Sequence, residues 1–94
     1  MPAKLLLLDD AVKDIQDASR YYNRQQQGLG RRFEKEVRQI SRKIQDAPQA
    51  ASFAYDTVRY KVMDKFPFVI LYEQQDKHIT ILRVFNTHKD IEAL

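Results

Sequence analysis

The chain has 94 residues, 44% of them hydrophobic and 31% charged, which is typical of one globular domain over residues 1–94 and excludes an intrinsically disordered chain. It contains no cysteine, which excludes a disulfide framework and a thiolate metal site and suits a reducing cytoplasm. The net charge of +3 is compatible with either nucleic acid or an acidic protein as a partner.

The first predicted element is a strand over residues 3–8, a continuous apolar run that is consistent with burial on both faces. The run is too short to cross a membrane, and no small-residue cleavage site accompanies it. We therefore expect a cytoplasmic protein with no membrane association. Asp9 or Asp10 is expected to cap the helix that follows, because a carboxylate accepts free backbone N–H groups and suits the positive end of the dipole.

Two amphipathic helices are predicted next, and each has one apolar stripe. In the first helix, the stripe recurs at helical spacing and consists of Ala11, Ile15, Ala18 and Tyr22. The second helix spans residues 29–46 and is stopped by Pro48, and its stripe consists of Leu29, Phe33, Val37, Ile40 and Ile44. The short connection predicts an antiparallel helical hairpin whose apolar stripes face a common surface.

A basic stripe runs along another side of the second helix and consists of Arg31, Lys35, Arg38 and Arg42. It could contact nucleic acid or be an ordinary solvated face. The interleaved acids Glu34 and Glu36, and the absence of exposed aromatic residues, favour a solvated face.

After residue 52 the apolar period changes to that of strands. Val58, Tyr60 and Val62 alternate with polar or basic positions, as expected of a strand with one face in water. Residues 68–73 are apolar at nearly every position and should lie centrally in the sheet, and residues 79–85 form a third strand. Short connections at 64–67 and 74–77 predict hairpins, and residues 86–94 form a polar tail that could end in one turn of helix.

These elements predict a two-layer α+β fold. An N-terminal strand and a helical hairpin precede an antiparallel meander of three or four strands, and one sheet face is left for water or a partner.

Four groups of residues occur along this order of elements. They are Ala11-x3-Ile15 followed by Tyr21-Tyr22, Arg32-Phe33-x2-Glu36-Val37 with Ile44 and Pro48, Val58-Arg59 leading to Phe66-Pro67-Phe68-x-Ile70-x-Tyr72, and Ile79-x-Ile81-x2-Val84-Phe85-Asn86-Thr87-His88-Lys89-Asp90. Together and in this order they resemble the RelE/ParE toxin superfamily, in particular its ParE-like, plasmid-stabilisation branch. The resemblance covers most of the chain. It implies a RelE-like fold and the toxin of a bacterial type II toxin–antitoxin system, neutralised by a co-expressed antitoxin.

The resemblance also suggests where chemistry could reside. In ribosome-dependent members, Lys and Arg around the scissile phosphate stabilise its developing charge, often with a C-terminal Tyr or His. The positions of this chain in that region, predicted to contact target or antitoxin, are Arg59, Lys61, Arg83, His88 and Lys89. If the chain is a nuclease, the first four are the catalytic set. No Tyr follows Tyr72, and the tail lacks a dense basic run, which weakens the nuclease interpretation.

Several side chains have two interpretations. Arg59 and Lys61 share a parity and should project from one sheet face, where they either contact phosphate or an acidic protein, or are merely solvated. Arg83 either pairs with a carboxylate or lines the open sheet face. His88 could act as an acid or base or be solvated. Tyr21 and Tyr22 are adjacent, so at most one can point fully into the core.

Three functions remain open. The leading hypothesis is a ParE-like toxin that binds and inhibits DNA gyrase without catalysis of its own. The alternatives are a ribosome-dependent mRNA endoribonuclease of RelE type and a non-toxic degenerate member. Each predicts a cognate antitoxin, a hetero-oligomer with it, and docking at an exposed sheet edge or apolar groove. Neither a cofactor nor a metal site is expected, since the histidines lack ligand spacing.

Overall fold

The computed structural model describes residues 3–87 and contains two helices and five strands. In chain order they are β1 (Lys4–Leu7), α1 (Asp9–Gln25), α2 (Leu29–Asp46), β2 (Phe53–Tyr55), β3 (Val58–Val62), β4 (Phe68–Gln75) and β5 (His78–Asn86). The strands form one sheet in the order β1-β5-β4-β3-β2. The predicted α+β arrangement of strand, helical hairpin and strands is confirmed.

The sheet is mixed. Strands β2 to β5 pair antiparallel with their sequence neighbours, which confirms the meander and the central position of β4. Strand β1 instead pairs parallel with β5, with Leu5 opposite Ile79. A parallel pair needs a long crossover, and the helical hairpin is the first part of it.

Both helices have the predicted apolar stripes. Helix α2 begins at Leu29 and ends at Asp46, as predicted, and its stripe is buried from Phe33 to Ile44. Ala11 and Ala18 of α1 are buried, and Ile15 and Tyr22 pack against the core. Within residues 3–87, no helix combines the length and the apolarity needed to cross a membrane.

Aromatic rings close one end of the core. The ring of Phe33 lies 5.2 Å from that of Phe66 and 4.8 Å from that of Phe68, and Tyr22 lies 4.8 Å from Phe66. Tyr22 is half-buried in this cluster and Tyr21 is exposed, as adjacent positions on a helix require. These edge-on contacts join both helices to the connection between β3 and β4.

The expectation that the first strand is buried on both faces is wrong. Strand β1 lies at the edge of the sheet, and only Leu5 is half-buried, whereas Leu6 is 45% exposed. A run of leucines is equally consistent with a central strand and with an edge strand, because the number of neighbouring strands is a tertiary property.

The predicted aspartate cap is also wrong. The N-cap of α1 is Leu8, which has no side-chain capping hydrogen bond. Asp9 and Asp10 lie in the first turn instead, where their charge still favours the positive end of the helix dipole.

The side of β3 that is buried differs from the expectation. Val58 is buried, but Tyr60 and Val62 are exposed. They pair with Leu71 and Val69, which point away from the helices, because the opposite side of β4 carries the core residues Ile70 and Tyr72. Among the strands, helix α1 packs mainly against β5 and α2 reaches β1, and the side of β3 that carries Tyr60 and Val62 faces away from both helices.

Candidate functional site

The outer half of β5 is held by a carboxylate instead of a strand. Strand β1 pairs only with His78 to Ile81, so the backbone beyond Ile81 has no strand neighbour on that side among the described residues. Asp14 of α1 fills this position and accepts the backbone N–H of Val84 at 2.9 Å. It satisfies a ladder group that would otherwise lack a partner.

The same carboxylate binds Arg83 in a two-pronged contact. Arg83 Nε donates to Asp14 Oδ2 at 2.7 Å, and a terminal nitrogen donates to Oδ1 at 3.0 Å. The guanidinium carbon also lies 4.6 Å from the centre of the Phe85 ring. Of the two interpretations of Arg83, the structure therefore contains the carboxylate pair, and the charge of Arg83 is neutralised within the fold.

Arg59 is also held by structural contacts. Its guanidinium donates to the backbone oxygens of Ala51 at 2.5 Å and Gln49 at 3.3 Å, and it lies 3.9 Å from the centre of the Phe53 ring. These contacts tie β3 to the segment that follows α2. The guanidinium satisfies carbonyl groups that no strand pairing reaches.

Lys61 projects from the same sheet face as Arg59, as predicted, since their partners Ile70 and Tyr72 share one side of β4. Lys61 is exposed and lines a small cleft, about 150 Å³, with Lys43 and Tyr72. The Tyr72 hydroxyl donates to Pro48 O at 2.8 Å. Burial raises the pKa of Tyr72, and the nearby charge of Arg59 partly opposes that rise.

The fold does not collect the predicted cations into one site. Arg59 and Lys61 lie on β3, whereas Arg83 lies two strands away on β5, about 10 Å across the sheet. The Arg83 guanidinium turns further away, to the outer edge of β5 where Asp14 lies. His88 and Lys89 lie outside the described residues.

Sequence reasoning missed Asp14. The residue belongs to an acidic segment of α1 and lies 69 positions from Arg83, so no local spacing links the two. Its one signal is a position beside the apolar stripe, next to Ile15, where a charge needs a partner. Among residues 3–87 no cluster of His, Asp and Glu has the arrangement of a metal site.

A second candidate surface lies at the β1 edge. Lys4 N donates to Lys77 O, just before β5, and Leu8 N donates to Ile81 O of β5. The backbone groups of Leu5 and Leu7 therefore point outward. Beside this edge is an apolar groove of about 320 Å³ between β1 and the helices. Its apolar lining includes Leu5, Leu7, Ile15 and Val37, and its charged lining consists of Glu34, Arg38 and Arg42.

The β1 edge and the start of α1 also carry exposed apolar side chains, of which Leu7 lines the groove. Leu6, Leu7, Leu8 and Val12 are each between 38% and 46% exposed. Open backbone groups next to apolar side chains are the combination to which an added strand or an amphipathic segment binds.

A family model described as the ParE toxin of the type II toxin–antitoxin system parDE matches residues 5–91. A solved structure, the chromosomal ParDE toxin–antitoxin system from P. aeruginosa, aligns with a TM-score of 0.69 at 22% identity. That alignment covers 89% of this chain and 95% of the other. No significant match was found among curated proteins.

Proposed function

The chain belongs to the ParE toxin family of type II toxin–antitoxin systems, and on that basis we propose that it acts by binding a large target protein, not by catalysis. The proposed target is DNA gyrase, as the resemblance of the sequence to ParE-like toxins implies. The proposed partner that neutralises it is a cognate antitoxin, in a hetero-oligomer.

The observation that carries the proposal is the pairing of Arg83 with Asp14. A nuclease of the RelE type needs unpaired cations that can surround a scissile phosphate and stabilise its charge. Here the guanidinium of Arg83 already binds both carboxylate oxygens of Asp14, at 2.7 and 3.0 Å. Moving it to a phosphate would leave Asp14 with an uncompensated charge, since its side chain is only 17% exposed.

The position of Arg59 supports the same conclusion. Its guanidinium is bound to two carbonyl oxygens and an aromatic ring, and Arg83 is two strands away. In this proposal Arg59 positions β3, and the exposed Lys61 is the cation of this strand that contacts a protein partner.

The proposed docking site of the antitoxin is the β1 edge with its apolar groove. The outward backbone groups of Leu5 and Leu7 would pair with an extended segment, and Leu6 and Leu8 would gain apolar contacts. Burying these side chains would contribute about 25 cal/mol for each Å² of apolar surface removed from water.

The proposal is tested with purified chain and two reactions in parallel. The first is ATP-dependent supercoiling by gyrase, and the second is cleavage of mRNA on translating ribosomes. We expect inhibition of supercoiling and intact mRNA. Loss of mRNA that the double variant R59A/R83A abolishes would favour the endoribonuclease, and inactivity in both reactions would favour a non-toxic member.

A further inference from the structure

Helix α2 carries a row of cations directly opposite its buried stripe. Arg31, Lys35, Arg38 and Arg42 recur at steps of four, three and four and are all exposed. We call this row the α2 ridge. At about 1.5 Å per residue, the ridge is about 16 Å long from Arg31 to Arg42.

The acids that interrupt the ridge in the sequence do not lie on it in the structure. Glu36 is only 7% exposed and accepts the backbone N–H groups of Asp64 at 2.6 Å and Lys65 at 3.1 Å. Glu34 is half-buried and accepts the hydroxyl of Ser19 on α1. Both carboxylates therefore form contacts inside the fold. Their positions in the sequence no longer favour an ordinary solvated face for the ridge.

No cation of the ridge forms an ion pair with any residue between 3 and 87. The nearest exposed carboxylate along the helix is that of Asp46, one turn beyond Arg42. Like charges four positions apart destabilise a helix by about 0.2–0.5 kcal/mol per pair. A row of cations that keeps this repulsion and forms no ion pair is a local violation of the kind that marks functional surfaces.

From this geometry we propose that the α2 ridge binds the phosphate backbone of double-stranded DNA without reading its sequence. A protein partner needs apolar anchors that lose their water. Such anchors lie beside Arg38 and Arg42, which border the groove next to β1, but none lies among the four ridge positions themselves. A phosphate backbone needs only cations, and their contacts release condensed counterions. The ridge has no aromatic side chain on which unpaired bases could stack, which favours a duplex over a single strand. This inference does not depend on gyrase being the target.

The test measures binding of the purified full chain to a fluorescent DNA duplex of about 30 base pairs by anisotropy, beginning at about 50 mM salt. The ridge variant is R31Q/K35Q/R38Q/R42Q. Glutamine keeps helix propensity, and circular dichroism verifies the fold. The matched control is K4Q/K13Q/R24Q/K77Q, which removes the same charge from exposed positions elsewhere.

We expect wild-type chain and control to bind, and the ridge variant to bind about tenfold or more weakly. The slope of log affinity against log salt should fall in magnitude by about 3 to 4, since each phosphate contact contributes about 0.9. Equal loss in both variants would overturn the proposal, because net charge alone would then explain binding. Absence of binding by wild type would also overturn it.

Two competitors distinguish duplex DNA from the other ligands that a row of cations could bind. Polyglutamate is matched to the duplex in charge, and single-stranded DNA is matched in length. Each competitor is compared with unlabelled duplex at equal concentration of negative charge. If polyglutamate displaces the labelled duplex more effectively, the ridge binds an acidic protein, and if single-stranded DNA does so, the ridge binds a single strand. Either result would show that the assignment to duplex DNA is wrong. Displacement only at a higher concentration supports it.

Discussion

Asp14 joins α1 to the sheet at the one stretch of β5 that lacks a strand neighbour among the described residues. Its carboxylate accepts Val84 N–H and both prongs of Arg83. One side chain therefore satisfies a backbone donor and a charge together. The same contact occupies the guanidinium of Arg83, which supports the proposal that the chain does not act through phosphate chemistry.

The substitution D14N keeps the shape of the side chain and removes its charge. We expect a loss of about 1–3 kcal/mol in the free energy of unfolding, because hydrogen bonds to a charged group are lost and an amide cannot accept at both positions. Urea denaturation measures this loss. The matched control is D17N on the same helix, which breaks an exposed pair with Arg20 and should cost less than about 1 kcal/mol. Equal losses would contradict the structural role of Asp14.

Tyr72 gives a prediction about alkaline pH. Burial raises the pKa of its phenol, so the folded state holds the proton more tightly than the unfolded state does. The stabilisation is therefore complete below about pH 10 and is lost as pH rises through the raised pKa. We expect Y72F to lose less of its own stability than wild type between about pH 8 and 11.

For each protein, the free energy of unfolding at high pH is compared with that of the same protein at about pH 8. This is necessary because Y72F also loses the hydrogen bond to Pro48 O, which lowers its stability at every pH. The exposed Tyr55 supplies the control. Y55F should follow the wild-type pH dependence, and a Y72F curve parallel to that of wild type would mean that Tyr72 does not titrate with unfolding.

At the scale of elements, the helical hairpin depends on a close approach at Gly30. A Cβ atom placed there would lie 2.5 Å from the backbone oxygen of Ser19 and 2.7 Å from the amide nitrogen of Asn23. The Gly30 N–H also donates to Asn23 Oδ1 at 2.9 Å. Helix α2 can therefore lie against α1 only because this position has no side chain.

The substitution G30A tests that contact. Alanine in an ordinary helix position would stabilise by about 1 kcal/mol relative to glycine. Here we expect destabilisation of about 1–3 kcal/mol instead, because the helices must separate. The thermal unfolding midpoint reports the sign. Q39A, on the exposed part of the same helix, should change stability by less than about 0.5 kcal/mol; stabilisation by G30A would disprove the close contact.

Strand β1 gives a second prediction at this scale. L7D places a charge among the apolar side chains at the proposed antitoxin edge, and we expect it to weaken binding to the protein encoded by the neighbouring reading frame by about tenfold or more. Copurification of the two co-expressed proteins, followed by titration, measures the change. Y55D is the control at the opposite edge of the sheet. If Y55D weakens binding and L7D does not, the antitoxin occupies the other edge.

The helices were predictable and the burial of the strands was not, for a physical reason. A helix displays its buried face in its own periodicity, so the apolar stripe of α2 from Phe33 to Ile44 was evident from sequence. Whether Leu6 or Tyr60 is buried depends on which strands border it and how far the helices extend over the sheet. Those are long-range properties that no local pattern contains.

For the molecule as a whole, the fold places cationic and apolar surfaces side by side, because Arg38 and Arg42 of the α2 ridge also border the groove beside β1. The β1 edge is apolar, the α2 ridge is cationic, and Lys61 lies on β3 in a small cleft beside Lys43 of α2. The sequence predicted the basic stripe of α2 and the shared sheet face of Arg59 and Lys61, but it predicted a buried first strand and not an exposed apolar edge. It did not predict that Glu34, Glu36 and Asp14 would turn inward, which determines which cations remain available.

The central claim is that the chain acts by binding its target and not by catalysis, and the stoichiometry of inhibition tests it directly. Gyrase at a concentration well above the dissociation constant is titrated with the purified chain, and the remaining supercoiling rate is measured. The account predicts a linear fall that ends near one chain per binding site on gyrase. Complete loss of activity at about one chain per hundred gyrase molecules, increasing with time, would indicate turnover, and no loss at any ratio would exclude gyrase as the target.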